Sequence, residues 1–177
     1  QLLDPAPPAE VMEQVASIRF RNILLIGIFL DRPEVNANGS MYFPSQEFPF
    51  TRVYEPRNRS AAMAPAGKTS LMVEIPCQKE DQVWSETPNQ GVDRVIGQLV
   101  KAGFFAREEV IGSTTRRISH AYPVLEVDYR EKIAPLFQYL EQFENLWLTD
   151  RNGLFSYSHI HDHMVNGRRV VGEIQAG

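Results

Sequence analysis

The chain of 177 residues holds one cysteine, Cys77. That excludes an internal disulfide framework and thiolate-rich metal sites. It lacks an apolar stretch long enough to cross a bilayer: the run Ile23–Leu30 has eight residues and is flanked by Arg21, Asp31 and Arg32, so it reads as a buried strand. It lacks an excess of one charge. The 18 basic and 22 acidic residues leave a net charge of −4, too mild and too evenly spread for nucleic-acid binding. No signal or transit peptide is visible, and there is no internal repeat or low-complexity tract. No two of the 11 glycines stand two positions apart, so the spacing G-x-G-x-x-G does not occur. What remains is ordinary for a globular protein: 43% hydrophobic and 23% charged residues, in a length that supports one compact domain with a real core. A reducing, cytoplasmic setting fits the lone cysteine. The proline-rich opening, residues 1–8, reads as an extended lead and looks cut from something longer; processing or a disordered start gives the same opening.

Periodicity and punctuation divide the rest. Pro8 to Ala16 has Val11, Met12 and Val15 at helical spacing. Arg19–Leu30 is a long strand whose second half is apolar on both faces, which suits a central place in a sheet. Asp31–Ser40 is a loop with the turn pair Asn38-Gly39. Met41–Phe43, Thr51–Glu55 and Lys68–Ile75 are strands, the last ending at Pro76. Thr87 to Ala102 is a helix, with Thr87 and Gln90 as a capping box, Pro88 at its first position and Gly103 as its stop. Glu109–Ser119 and Ala121–Val127 are extended. Asp128 precedes a helix carrying Ile133, Leu136, Phe137 and Leu140, in which Pro135 requires a late start or a bend. Asn145–Thr149 is a short strand, and a last helix begins near Asp162. This order is α+β, with a mixed, mainly antiparallel sheet and flanking helices.

The segment from Asp150 to Gly167 carries the chemistry. It reads as a strand end, a glycine turn and a helix start. A helix start presents unpaired N–H groups and partial positive charge, which stabilise an anion placed against it. Asp162 is placed to cap that helix, with the N–H groups of His163 and Met164 facing a ligand. Arg151 is a fixed, planar cation suited to a phosphate or an anionic ring edge, and Gly153 lets the backbone pass close by. An ordinary strand–turn–helix with a surface arginine has the same spacing.

Arg151-Asn152-Gly153-Leu154-Phe155-Ser156-Tyr157, followed by Asp162-His163-Met164 and Gly167, resembles the C-terminal flavin-closing motif of the FAD-dependent amine oxidase and protoporphyrinogen oxidase superfamily, and within it the UDP-galactopyranose mutase-like branch. Phe48–Asn58, Thr69–Pro76 and Ala121-Tyr122-Pro123-Val124 resemble the substrate-domain strands of that branch. The resemblance covers roughly residues 9–174 in the same order. It implies a substrate-binding domain over 9–145 and a flavin-closing strand–turn–helix over 146–177, after the lead 1–8. It implies a flavin contact for Arg151, Gly153, Leu154, Asp162, His163 and Met164, and a substrate contact for Arg52, Tyr122 and Tyr157. Two features depart from the pattern. The family usually has glycine before the arginine, where this chain has Asp150, a carboxylate unfavourable beside a phosphate unless it points away. The missing dinucleotide loop lies, in the family, in an N-terminal nucleotide-binding domain. That domain is the partner the resemblance implies, and without it this portion binds FAD weakly or not at all.

The resemblance therefore implies a fragment of an FAD-dependent oxidoreductase, acting on a small-molecule substrate, with no catalytic acid or base evident because the cofactor carries the chemistry. A flavin-dependent isomerase of a sugar nucleotide, like the mutase branch, is the alternative; a non-catalytic α+β binding domain is another. A zinc hydrolase is a third, since His159, His161 and His163 alternate and would share one face of a strand, but the run does not match the spacing of known di-metal hydrolases, and no metal ligand is expected. Arg52 and Glu55, three apart on a strand, face opposite sides. Glu74, Asp81 and Glu86 read as surface charges, Trp84 and Trp147 as structural, and Cys77 as a small buried hydrophobe.

Overall fold

A computed structural model of the chain describes residues 3–176. The chain divides into two compact units: residues 21–121, and residues 1–20 together with 122–177.

The unit of residues 21–121 is built on a sheet. Its strands are β1 (Phe20–Leu30), β2 (Met41–Tyr42), β3 (Arg52–Tyr54), β4 (Thr69–Cys77) and β5 (Val110–Pro123), in the order β2-β3-β4-β1-β5. The pairs β1/β4, β3/β4 and β2/β3 are antiparallel. The central place expected for the apolar strand is the one β1 takes, between β4 and β5. Strict alternation in β4 puts Leu71, Val73 and Ile75 on one face. The register sets them opposite Ile28, Ile26 and Leu24. Helix α3 (Pro88–Lys101) covers this row with Val92, Val95, Ile96 and Leu99, and Phe50 and Phe105 complete the cluster. The α3 start is as the sequence predicts: Thr87 N–H donates to Gln90 Oε1 (3.0 Å), and Gln90 N–H donates to Thr87 Oγ1 (3.4 Å). Gly103, at φ +79°, ends it. A four-residue helix, α2 (Gln82–Ser85), precedes it.

Strand β4 runs one residue past Pro76, where the sequence suggests a stop. The last β4 residue paired with β3 is Glu74, so Pro76 lies beyond the three-strand part of the ladder, where a missing N–H is tolerated. The two extended pieces expected over 109–127 are largely one strand, β5.

The other unit holds α1 (Ala9–Ser17), α4 (Tyr129–Leu140), α5 (Asp150–Gly153) and α6 (Ile160–Ala176). Helix α4 starts at Tyr129 and passes through Pro135, so the late start does not occur. Asn145–Thr149 does not form the expected strand: it has no partner to pair with and runs irregularly into α5. Among the described residues no helix is long and apolar enough to cross a membrane.

Candidate functional site

The turn that carries Arg151 is helical rather than a strand end. Asp150 takes φ +65°, a left-handed backbone that glycine adopts freely and aspartate tolerates by bonding locally. Its Oδ1 accepts the N–H groups of Asn152 (2.8 Å) and Gly153 (2.9 Å). That pairing turns the carboxylate onto α5 itself and answers the charge problem posed by its place before the arginine. Phe155, at the end of the turn, is also left-handed at φ +49°. It is buried, edge-on to Phe20 (5.7 Å) and stacked with Tyr129 (6.2 Å).

Arg151 Nη2 donates to the carbonyl of Ser158 (2.9 Å), and its guanidinium lies over the Tyr122 ring at 5.3 Å. Tyr122 and Tyr157 have ring centroids 6.4 Å apart, and Tyr157 Oη donates to the carbonyl of Pro123 (2.8 Å). So Arg151, Tyr122 and Tyr157, chosen separately on the sequence, form one cluster. Gly153 and Leu154 continue the turn from Arg151, with Leu154 N–H closing it onto the Asp150 carbonyl (3.1 Å).

Helix α6 begins at Ile160, two residues before the expected start. Asp162 is consequently inside the first turn, and its Oδ2 accepts the N–H of His159 (2.8 Å). His163 N–H donates to the His159 carbonyl (3.2 Å), so neither it nor the N–H of Met164 is an open donor. Helix geometry leaves that role to Ile160, His161 and Asp162. The His159 N–H, followed by the charges of His161, His159 and His163, holds the Asp162 carboxyl below the usual range. Ser158 Oγ lies 3.3 Å from His163 Nε2, so Ser158 links Arg151 to α6. Met164 is exposed on that helix. The three histidines do not share a face as they would on a strand, because His161 and His163 are two positions apart on a helix. Among the described residues no group of three or more His, Cys, Asp or Glu could hold a metal ion.

Arg52 belongs to the other unit. Its Nε donates to Glu74 Oε2 (2.9 Å) and its Nη2 to Glu74 Oε1 (2.5 Å), the residue opposite it in the register. Glu74 raises the pKa of Arg52 beyond its already high ordinary value. Arg52 and Arg59 both lie against the Tyr54 ring, at 5.4 and 5.5 Å. The expectation that Glu74 and Glu86 are surface charges is corrected: their side chains are 13% and 15% exposed, and Glu86 holds Arg94 (2.8 Å). Glu55 is fully buried, on the face opposite Arg52 as the alternation requires. Sequence reasoning missed the Arg52–Glu74 pair, whose signal is the strand register.

No protein-family model and no curated protein matches the chain. Solved structures do match its fold. Reduced UDP-galactopyranose mutase is similar with a TM-score of 0.70 and 19% identity, over 82% of this chain and 31% of that one. A protein assigned as a protoporphyrinogen oxidase from Exiguobacterium sp. 255-15 is similar with a TM-score of 0.64 and 14% identity, over 78% of this chain and 31% of that one. At these identities the likeness is one of fold, and the chain has the fold of under a third of each of these longer proteins.

Proposed function

We propose that this chain is the substrate-binding and ring-closing portion of an FAD-dependent oxidoreductase of the amine oxidase and protoporphyrinogen oxidase superfamily. The observation that carries the reading is the fold likeness over 82% of the chain to a mutase of which it covers 31%, taken with the C-terminal sequence block. The residues present fit a flavin. Three first-turn N–H groups of α6 suit an anionic ring edge. The Asp150 and Asp162 carboxylates are each engaged by backbone N–H groups, which reduces their repulsion of an anion. FAD, when bound, supplies the electron-transfer chemistry. Arg151 holds Tyr122 and the approach to α6, Gly153 and Leu154 support that turn, and Tyr157 borders it; Arg52, fixed by Glu74, contributes a polar contact to substrate. The higher TM-score with the mutase favours, as a second reading, a flavin-dependent isomerase of a sugar nucleotide. In either case the isolated portion binds FAD weakly, since it has no pyrophosphate loop.

The test is purification of the protein encoded by the whole reading frame that contains this chain. It should be yellow, release about one FAD per chain on denaturation, and lose flavin affinity by about tenfold or more in Arg151→Met. A folded, colourless protein of full length would refute the reading. Reaction of the flavin-loaded protein with amines against sugar nucleotides separates the oxidoreductase from the isomerase.

A further inference from the structure

The pair Asn-Gly occurs three times in the chain, at Asn38-Gly39, Asn152-Gly153 and Asn166-Gly167. Such a pair is open to one reaction within the chain. Glycine has no Cβ, so its backbone nitrogen can close on the side-chain carbon, Cγ, of the asparagine before it. The sequence offers this route equally at all three pairs, and the structure separates them.

Asn166 is pinned on α6. Its Nδ2 donates to Thr149 Oγ1 (2.9 Å), and its Oδ1 accepts Arg169 Nε (3.0 Å) and Nη2 (2.8 Å). Gly167 lies inside the same helix, where its N–H donates to the carbonyl four residues back. On α5 the nitrogen is occupied, because Gly153 N–H donates to Asp150 Oδ1 (2.9 Å). Both pairs must open locally before the ring can close.

Asn38 lies in the loop between β1 and β2. The loop's main chain is held: Glu55 accepts the N–H groups of Val35 and Asn36, and Asn38 N–H donates to Asn36 Oδ1 (2.7 Å). The Asn38 side chain is exposed. Among the described residues, neither that side chain nor the Gly39 N–H has a hydrogen-bond partner. A Cβ built at Gly39 would meet nothing within 4 Å, so the space around it is open. Turning the Gly39 nitrogen toward Cγ costs at most one neutral hydrogen bond, from Asn58 Nδ2 to the Asn38 carbonyl (3.0 Å).

We propose that Asn38 is a modification site, at which the chain deamidates itself through a cyclic imide with Gly39. The Gly39 nitrogen loses its proton and bonds to Asn38 Cγ; the Cγ–Nδ2 bond breaks and ammonia leaves. Water then opens the ring on either side, and nothing is oxidised or reduced. Opening at Cγ gives aspartate. Opening at the backbone carbonyl gives iso-aspartate, and the carbonyl that Asn58 holds becomes a free carboxylate. Either product adds one negative charge next to Ser40. The Ser40 hydroxyl accepts Arg59 Nη2 (2.9 Å), and Arg59 lies over the Tyr54 ring that Arg52 also meets. The modification therefore places an acid beside a pair of arginines, a change of local charge of the kind other covalent switches exploit.

The experiment incubates the purified protein in mildly alkaline buffer and follows each Asn-Gly pair by peptide mapping that separates asparagine, aspartate and iso-aspartate. In the folded protein Asn38 should convert at least about tenfold faster than Asn152 and Asn166, since those two wait on local opening. Its rate should rise with pH, because the attacking nitrogen must lose a proton. In denaturant the three should converge to within about threefold, because only structure distinguishes them. Gly39→Ala should slow conversion at Asn38 by about tenfold or more while shifting the melting temperature by less than about 1 °C. Asn152 or Asn166 converting as fast as Asn38 in the folded protein overturns the proposal. So does an Asn38 that stays intact when folded and converts when unfolded. A folded Gly39→Ala protein that still converts at the parent rate overturns the ring closure. Should that variant not fold, the order of the three pairs in the parent decides alone.

Discussion

Glu55 is a fully buried carboxylate whose partners are all uncharged donors. Oε1 accepts the hydroxyl of Thr69 (2.6 Å) and the N–H of Val35 (3.0 Å); Oε2 accepts the N–H of Asn36 (3.2 Å) and, more weakly, Asn58 Nδ2 (3.4 Å). One side chain therefore ties the end of β3 to the start of β4 and to the loop between β1 and β2. Replacing Glu55 with Gln keeps one acceptor and lets the Thr69 hydroxyl rotate to accept from the new amide. The remaining bonds then fall from the charge-assisted to the neutral range, a loss of about 2 kcal/mol. Replacing it with Leu preserves bulk but strands two N–H groups and a hydroxyl, each costing about 1–3 kcal/mol, or roughly 3–9 kcal/mol together. At about 2–4 °C per kcal/mol for a chain of this size, Glu55→Gln should melt about 4–8 °C below the parent and Glu55→Leu about 6 °C or more below it. Circular dichroism of the 177-residue chain reads both. A double-mutant cycle with Thr69→Val tests the assignment, since Thr69→Val should cost about 1 kcal/mol alone and almost nothing beside Glu55→Leu. A Glu55→Leu chain melting within about 2 °C of the parent would refute the clamp.

Asp150→Gly should stay within about 0.5 kcal/mol of the parent, because relief of the left-handed backbone offsets the lost side-chain bonds. Asp150→Ala keeps the strain and loses the cap, and should cost about 2 kcal/mol in thermal denaturation. Asp162 has a carboxyl pKa depressed by the His159 N–H and the neighbouring histidines. Its contribution is present above the unfolded carboxyl value and is lost as pH falls through the lower folded value. NMR titration should therefore find its carboxyl below the usual range, with the first turn of α6 fraying in acid, and Asp162→Asn should remove that acid dependence. At Gly27 an added Cβ would meet Thr114 Cγ2 at 2.9 Å and Met72 Sδ at 3.2 Å. Gly27→Ala should cost about 1–3 kcal/mol, and adding Thr114→Ser should restore much of that in denaturant unfolding.

Much of this was legible in local pattern. The capping box at Thr87, the alternation of β4 and the unbroken apolar run of β1 each announce their element, because each depends on neighbours a few residues apart. The oddity of Asp150 was visible too, as an acid where the family that the segment resembles usually carries glycine. Its resolution was not, since that needed a φ of +65° and two N–H partners. Asn145–Thr149 has strand-like composition, but a strand exists only with something to pair against. Asp162 looked like a cap, and the helix instead began at Ile160 with Asp162 reaching back to His159.

The sequence by itself determined the α+β order of elements and the one helix start whose cap is complete within four residues. It also determined which residues of the C-terminal segment were worth watching. Tertiary structure alone decided that Arg52 faces Glu74, that Glu55 is buried among uncharged donors, and that Arg151, Tyr122 and Tyr157 meet. The division has a physical cause: caps and periodicity arise from contacts within one or two turns of chain, whereas register and burial depend on residues tens of positions away, which spacing does not encode.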